Sequence, residues 1–571
     1  MSDRAEQVQK LKDDGNDFYK RKKYSAAIKK YTEAIQIDDT VALLFANRAA
    51  CRLALKQYLD ALADAVKATE LDPNYSKAWA RRAAVHDALG QNQGSRVMWE
   101  KALEALPKGE LSETDKNLKK QYEEGLAKAK AEINKLSSSG PRLSGSAIQI
   151  QSGNNDLPWD VAAQIVVELE KKQDPKSSAW VIYMADKEFQ EAVSNINEYK
   201  TQVIGGRTLA KARMGGLANL TNAILRDTRV FRISQPDLLV KLMESINIER
   251  QCNKGWFGEM GPETVQREAL ERLRTEERAS VRRALSSTIR DWIIVGFLRT
   301  KINPNFAGAM EYLQRALDMI NWGRDQWPNM HKEQRGAVFT RTFRRGVWNL
   351  LLNAMMEAYA SNPGKRSLLN KINVHADGLL EDLENDRPEP GEEAVLDAGF
   401  RWSFWENIKG NAFACKGFYH VQLAKLSDTD PNADLREVGE NLFAAFQCYF
   451  KAAQGFPEDD YYHPWFLWCA IENMLAGEPP TDIVLKLLEE IRLCVPKVRS
   501  LWYRNPAQTN EPQLKHYEYL DVVEKGARKL IERGEVGIND PFDMARFHKA
   551  GEEVRLGEDD EIPALEQLQL Q

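Results

Sequence analysis

Five polar side chains set the chemistry available in the first part of the chain: Lys12, Asn16, Asn47, Lys77 and Arg81. Two lysines and an arginine bring positive charge, two asparagine amides bring oriented donors, and no acid stands among the five. Such a set suits a ligand dense in carboxylates, for example an acidic peptide ending in a free C-terminus. It can act as a set only if residues 12 to 81 are folded so that all five reach one surface.

Repetition supplies that frame. Gly15, Ala49 and Ala83 stand 34 residues apart, as do Ala27, Ala61 and Ser95, and Ala34, Ala68 and Ala102. Phe45 and Trp79 mark a further position of the repeat, and Asp39, Pro73 and Pro107 another. A period of this length with small residues at fixed offsets predicts three helix–turn–helix units of the tetratricopeptide kind. The small residues let the two helices of a unit approach closely. With units beginning at Val8, Ala42 and Ser76, the five polar residues fall in the first helix of each, at positions 5 and 9, then 6, then 2 and 6. Spacings of three, four and seven share one helical face, and stacked first helices line the concave side of a solenoid.

The segments LKDDGNDFY, NRAACRLAL and YSKAWARRAA resemble the chaperone-binding tetratricopeptide domains of co-chaperones, over roughly residues 5–107. That family includes the stress-inducible organising protein, the large immunophilins and the tetratricopeptide ubiquitin ligases. The resemblance implies a two-carboxylate clamp, with Lys12 and Asn16 in the first unit, Asn47 in the second, and Lys77 and Arg81 in the third. The implied partners are the Glu-Glu-Val-Asp C-termini of the seventy- and ninety-kilodalton heat-shock chaperones. It further implies a division of labour. Lys12, Asn16 and Asn47 would hold the terminal carboxylate, and Lys77 and Arg81 the remaining acidic side chain and backbone groups. The plainer reading is an ordinary solvated repeat face, which five matches in register outweigh.

The 571 residues exceed what one compact core accommodates, so at least two units are expected. With 43% hydrophobic and 29% charged residues the composition is that of a globular protein. A net charge of −5 gives no whole-molecule attraction for nucleic acid or an anionic membrane. Cys51, Cys252, Cys415, Cys448, Cys469 and Cys494 are scattered without a CxxC pair, which predicts reduced thiols and a cytoplasmic, or also nuclear, location. MSDRAEQVQK has no apolar signal region, and the run Trp292–Leu298 is too short to span a bilayer.

After Pro107, Ser112 with Asp115 three residues on predicts a helix start. Leu118, Tyr122, Leu126, Ile133 and Leu136 line one side of that helix, which fits a capping helix closing the solenoid. SSSGPRLSGS at 137–146 predicts a linker, taken with the polar residues that follow as 137–157. Residues 158–538 show helical periodicity and twelve of the fourteen tryptophans. There Ala445, Tyr449 and Ala452 repeat the offsets of Ala27, Tyr31 and Ala34, and Ala309, Leu313 and Ala316 echo them. Pro464–Glu478 and Thr481–Val495 read as another helix pair. The expected architecture is therefore all-α: a three-repeat superhelix with its capping helix (1–136), a linker, and a larger degenerate tetratricopeptide-like array (158–538). Residues 539–571 read as a disordered acidic tail.

Other chemistries find little footing. No phosphate-cradling GxxxxGKS/T and no GxSxG elbow occurs, and RTLAKARM between Gly205–Gly206 and Gly215–Gly216 reads as a turn between loop ends. The seven histidines have no metal-ligand spacing, so neither metal nor cofactor is expected. Glu263–Arg283 alternates charge as a solvated helix does. Arg341, Arg344 and Arg345 form a tighter basic cluster, read as a solvated face ahead of a second anion site. These readings converge on a non-enzymatic co-chaperone whose first domain binds a chaperone C-terminus and whose array binds a second partner or client, without nucleic acid or membrane. An all-α enzyme carried to the chaperone, or a scaffold for other acidic C-termini, stand as alternatives; no phosphatase, isomerase or ubiquitin-ligase signature follows the linker.

Overall fold

The computed structural model describes residues 2–139, 148–149, 157–198, 200–204, 207–211, 213–235, 237–258, 260–302, 304–328, 330–385, 397–428, 434–504 and 511–559. It is an all-α protein with a few two- to five-residue strands, and its chain folds into two units. No described helix is long and apolar enough to cross a membrane.

The first unit comprises Met1–Gln149, Ala192–Thr221 and Gln235–Ala354. It opens with three helix pairs: α1 (Ser2–Lys20) with α2 (Tyr24–Ile37), α3 (Ala42–Ala54) with α4 (Tyr58–Leu71), and α5 (Ser76–Ala88) with α6 (Asn92–Glu104). The repeat positions are the packing positions. Ala27, Ala34, Ala49, Ala61, Ala68, Ala83, Ser95 and Ala102 are all fully buried. At Gly15 the approach is closest, since a Cβ there would stand 2.6 Å from Cε1 of Tyr31. Helix α7 (Glu113–Ser139) closes the array as expected. Ser112 Oγ accepts from the Asp115 N–H at 3.1 Å, and Tyr122 and Ala129 pack beside Trp99, Met98 and Leu106.

The repeats do not stand alone in this unit. Their far edge, where first helix turns into second, is paired with the helices Pro262–Thr275 and Phe306–Gln326. Arg52 Nη2 meets Glu263 at 3.1 Å, Arg315 Nη2 meets Asp60 at 3.3 Å, and Arg315 is itself only 3% exposed. Asn305 Nδ2 and Arg299 Nη1 donate to the carbonyls of Ala88 and Leu89 at the next turn along.

The second unit comprises Ile150–Glu191, Asn222–Ser234 and Met355–Gln571. Its core is aromatic, with Tyr449, Phe456, Phe466, Tyr517, Phe542 and Phe547 in one cluster. The helices Asn407–Asp428 and Leu435–Gln454 pack as a repeat pair. Ala445 and Ala452 are fully buried, and a Cβ on Gly417 would stand 3.0 Å from the Tyr449 ring, as Gly15 stands to Tyr31. In the first unit, Gly296 meets Leu313 between buried Ala309 and Ala316 in the same manner. The weak sequence echoes thus correspond to a shared way of bringing two helices together.

Several expectations need correction. The stretch 539–571 is not uniformly a tail: Met544–Asp559 is helical, with Phe547 1% exposed, and Gly526 and Gly551 let it lie directly against Glu511–Glu532. Residues 560–571 lie outside the described residues, as do 140–147 and 150–156 of the expected linker. The repeats share their unit with 192–221 and 235–354 rather than forming one by themselves, because buried ion pairs tie them to later helices. Glu263–Arg283 is not one helix but two, parted at Glu276–Glu277, and it buries Val265 and Ala269. RTLAKARM contributes the strand Arg207–Lys211, antiparallel to Lys200–Ile204.

Candidate functional site

The five polar residues sit on α1, α3 and α5, the first helices of successive repeats. Lys12, Asn16, Asn47 and Arg81 are half-buried and Lys77 is exposed. The small residues at the repeat contacts bring these helices close enough for side chains of neighbouring units to touch. Asn47 Nδ2 donates to Asn16 Oδ1 at 3.1 Å, joining the first repeat to the second.

The same oxygen accepts from the Tyr31 hydroxyl at 2.8 Å. Two donors on Oδ1 fix the Asn16 amide, so its Nδ2 is the group left to face a ligand. Burial pushes the Tyr31 phenol far above its ordinary value, so it remains a donor throughout the physiological range. Tyr31 holds this position because Gly15 leaves room for its ring. Lys12 Nζ donates to Gln9 Oε1 at 2.7 Å, which holds the ammonium while leaving other protons to give.

Arg81 lies where the second repeat, the third and the capping helix come together. Burial pushes the Cys51 thiol up to about 11 and raises the phenols of Tyr75 and Tyr122, and in each case the Arg81 charge opposes that shift. The carboxylates near the repeats are engaged elsewhere. Asp64, 3% exposed, binds Arg48 at 2.7 Å and Arg52 at 3.0 Å on the other side of α3. Among the described residues Lys77 and Arg81 have neither a hydrogen-bond nor an ion-pair partner. The groove thus presents amide and cationic donors with no built-in acceptor for its two most open charges, which suits an anionic ligand.

Sequence reasoning missed Tyr31 as part of this site. A signal was present: in the 34-residue register Tyr31 corresponds to Ala65 and Trp99, so this packing position carries a hydroxyl only in the first repeat. Among the described residues no three His, Cys, Asp or Glu side chains converge as a metal site would require, and all six cysteines are free.

No family model matches the chain. Its sequence is similar to the heat shock protein sti1 homolog of Schizosaccharomyces pombe, 40% identical over 96 residues, or 17% of this chain and 16% of that protein. It is also similar to serine/threonine-protein phosphatase 5 of Rattus norvegicus, 36% identical over 117 residues, 20% of this chain and 22% of that protein. Among solved structures, the second TPR domain of human RPAP3, in complex with the HSP70 peptide SGPTIEEVD, is 36% identical. That match covers 22% of this chain and 98% of that domain, with a TM-score of 0.20. The chain spans less than a third of the length of the curated relatives it matches. Its first segment, α1 to α7, is a tetratricopeptide domain of the kind found in co-chaperones.

Proposed function

We propose that the protein is a non-enzymatic co-chaperone adaptor. Its α1–α5 groove binds the acidic C-terminal peptide of a seventy- or ninety-kilodalton heat-shock chaperone. The observation that supports this reading is the bond from Asn47 to Asn16 on a Tyr31-pinned amide, flanked by Lys12, Lys77 and Arg81. Asn16, Asn47 and Lys12 take the terminal carboxylate, and Lys77 and Arg81 take the preceding acidic side chain and peptide groups. The HSP70 peptide bound by the human RPAP3 domain, itself 36% identical, supports a ligand of the same class here. The sti1 homolog supports the co-chaperone role; that the later helices serve a second protein partner or client is part of the same proposal.

A labelled peptide ending in Glu-Glu-Val-Asp, titrated with the full chain and followed by anisotropy, tests the proposal. Saturable binding that is displaced by unlabelled free-acid peptide and poorly by its C-terminal amide is expected. Equal displacement by acid and amide would refute a carboxylate clamp. Affinity should also fall with added salt, because exposed charges are screened beyond about 10 Å at 0.1 M.

A further inference from the structure

The first unit contains a second concentration of positive charge, distant in sequence from the groove. From Arg278 to Arg345 the chain carries thirteen Lys and Arg against five Asp and Glu, although its net charge is −5. Arg299 and Arg315 of this set are spent on the repeats, as described above. Two of the remainder, Arg282 and Arg283, line one cleft, and Arg335 and Arg341 flank the segment that forms its other wall.

That cleft has a volume of about 510 Å³ and is lined by Arg282, Arg283, Ser286, Gly336, Val338 and Thr340. It is a built feature. Gly336 has φ of 108°, and a Cβ there would stand 3.0 Å from Cδ of Arg282, so the arginine stem lies across the bare glycine. Arg282 Nη1 donates to the Gln334 carbonyl at 3.3 Å, which fixes the guanidinium at the wall, with exposed Arg283 beside it. The segment Gly336–Thr340 is bracketed by Arg335 and Arg341, and behind them stand Arg324, Arg344 and the fully buried Arg345. These five guanidiniums feel one another. Arg324 and Arg345 are both pushed down to about 10, by burial first and then by the neighbouring arginine charges, which Asp325 offsets only at Arg324 and Arg344.

We propose that this cleft binds a phosphoryl group carried on a phosphorylated peptide. A dianion with three acceptor oxygens suits guanidinium forks on one helix and donors from a second segment better than a two-oxygen carboxylate does. Two arginines at a bounded cleft offer a compact anion site, whereas a nucleic-acid backbone calls for an extended basic face. No large apolar side chain between Arg278 and Arg345 is exposed among the described residues, which leaves a membrane nothing to anchor.

The test uses the full chain and a heptapeptide bearing an uncharged fluorophore, Gly-Ala-Ala-phosphoserine-Ala-Ala-Gly, amidated and free of carboxylates so that the repeat groove does not capture it. The phosphorylated form should bind at least about tenfold tighter than its unphosphorylated twin, the size of one or two charge-assisted bonds. Arg283→Gln should remove about tenfold of that affinity and Arg283→Lys, which keeps charge but loses the fork, less. Because Arg283 is exposed, melting temperature and Glu-Glu-Val-Asp binding should be unchanged in both variants. Equal binding of the two peptides, or an Arg283→Gln chain that binds the phosphopeptide as wild type does, overturns the proposal. So does retention of phosphatidylserine vesicles or single-stranded DNA by a chain that ignores the phosphopeptide.

Discussion

Arg81 in the groove of the first unit and Arg229 in the second unit show two uses of the same side chain. Arg81 is half-buried, and no carboxylate among the described residues binds it. Arg229, 7% exposed at its side chain, forks onto Asp227 at 2.7 Å and Asp460 at 2.7 Å, and Asp460 is itself fully buried. The rings of Tyr461, Tyr462 and Trp502 cover its guanidinium, the last with its centroid 4.2 Å away. Burial alone would favour loss of the Arg229 charge, but the two carboxylates outweigh it and hold the group well above its ordinary value. Charge that serves the fold is thus saturated by partners the chain supplies. Charge that we propose serves a ligand is positioned by its neighbours and left for that ligand to satisfy.

That contrast can be broken most forcefully at Arg229. Replacing it by Ala leaves Asp227 and Asp460 buried without their cation, which should cost about 3–5 kcal/mol and lower the melting temperature sharply. Peptide binding at the groove is the wrong readout for this variant; circular dichroism melting is the right one. A change within error would show that the network adds little to the fold.

A smaller effect is expected at Gly15. Gly15→Ala must displace the Tyr31 ring, costing about 1–3 kcal/mol by overpacking and freeing the Asn16 amide to rotate. Stability and peptide affinity should therefore fall together. Lost stability with intact affinity would mean that Tyr31 does not organise the groove.

His463 gives a pH-dependent version of the comparison. Burial would lower its pKa, but Cys494 and Glu490 raise it to about 10, and both ring nitrogens face acceptors: Glu490 at 3.2 Å and the Ala453 carbonyl at 2.9 Å. A cation favoured by the fold adds stability that is complete below the unfolded value near 6.5 and fades as pH rises through about 10. The melting temperature of wild type should drop toward that of His463→Gln between pH 7 and 10. Parallel melting curves over this range would contradict it.

What could be read in the sequence follows the range of the interactions. The 34-residue repeat and the cap at Ser112 are periodic or local and appear where expected, and of the five polar residues Asn16 and Asn47 meet across the first two repeats. The echo at Ala445, Tyr449 and Ala452 is legible for the same reason; its glycine partner, Gly417, is not, because it stands 32 positions before Tyr449 whereas Gly15 stands 16 before Tyr31. Pairing of Arg52 with Glu263, or Arg315 with Asp60, links residues more than two hundred positions apart, and in sequence such residues look like any solvated charge. The helix Met544–Asp559 is hidden in the sequence because the acidic run after Gly551 dominates the stretch, while only Phe547, Ala550 and Gly551 are buried among its described residues. Tyr31 does two things that its repeat position does not separate: its ring packs and its hydroxyl orients Asn16.

Calorimetry tests the central claim most directly. Peptides ending in Glu-Glu-Val-Asp, as free acid and as amide, are titrated into wild type and Arg81→Ala. Loss of one charge-assisted contact at Arg81 should cost about 1.5–3 kcal/mol, roughly ten- to a hundredfold in affinity for the free acid, with the circular dichroism spectrum unchanged. Amidation should weaken binding severely in both proteins, since it removes a group held by other residues. Equal affinities in all four titrations would contradict the account, leaving the five-residue groove a solvated face.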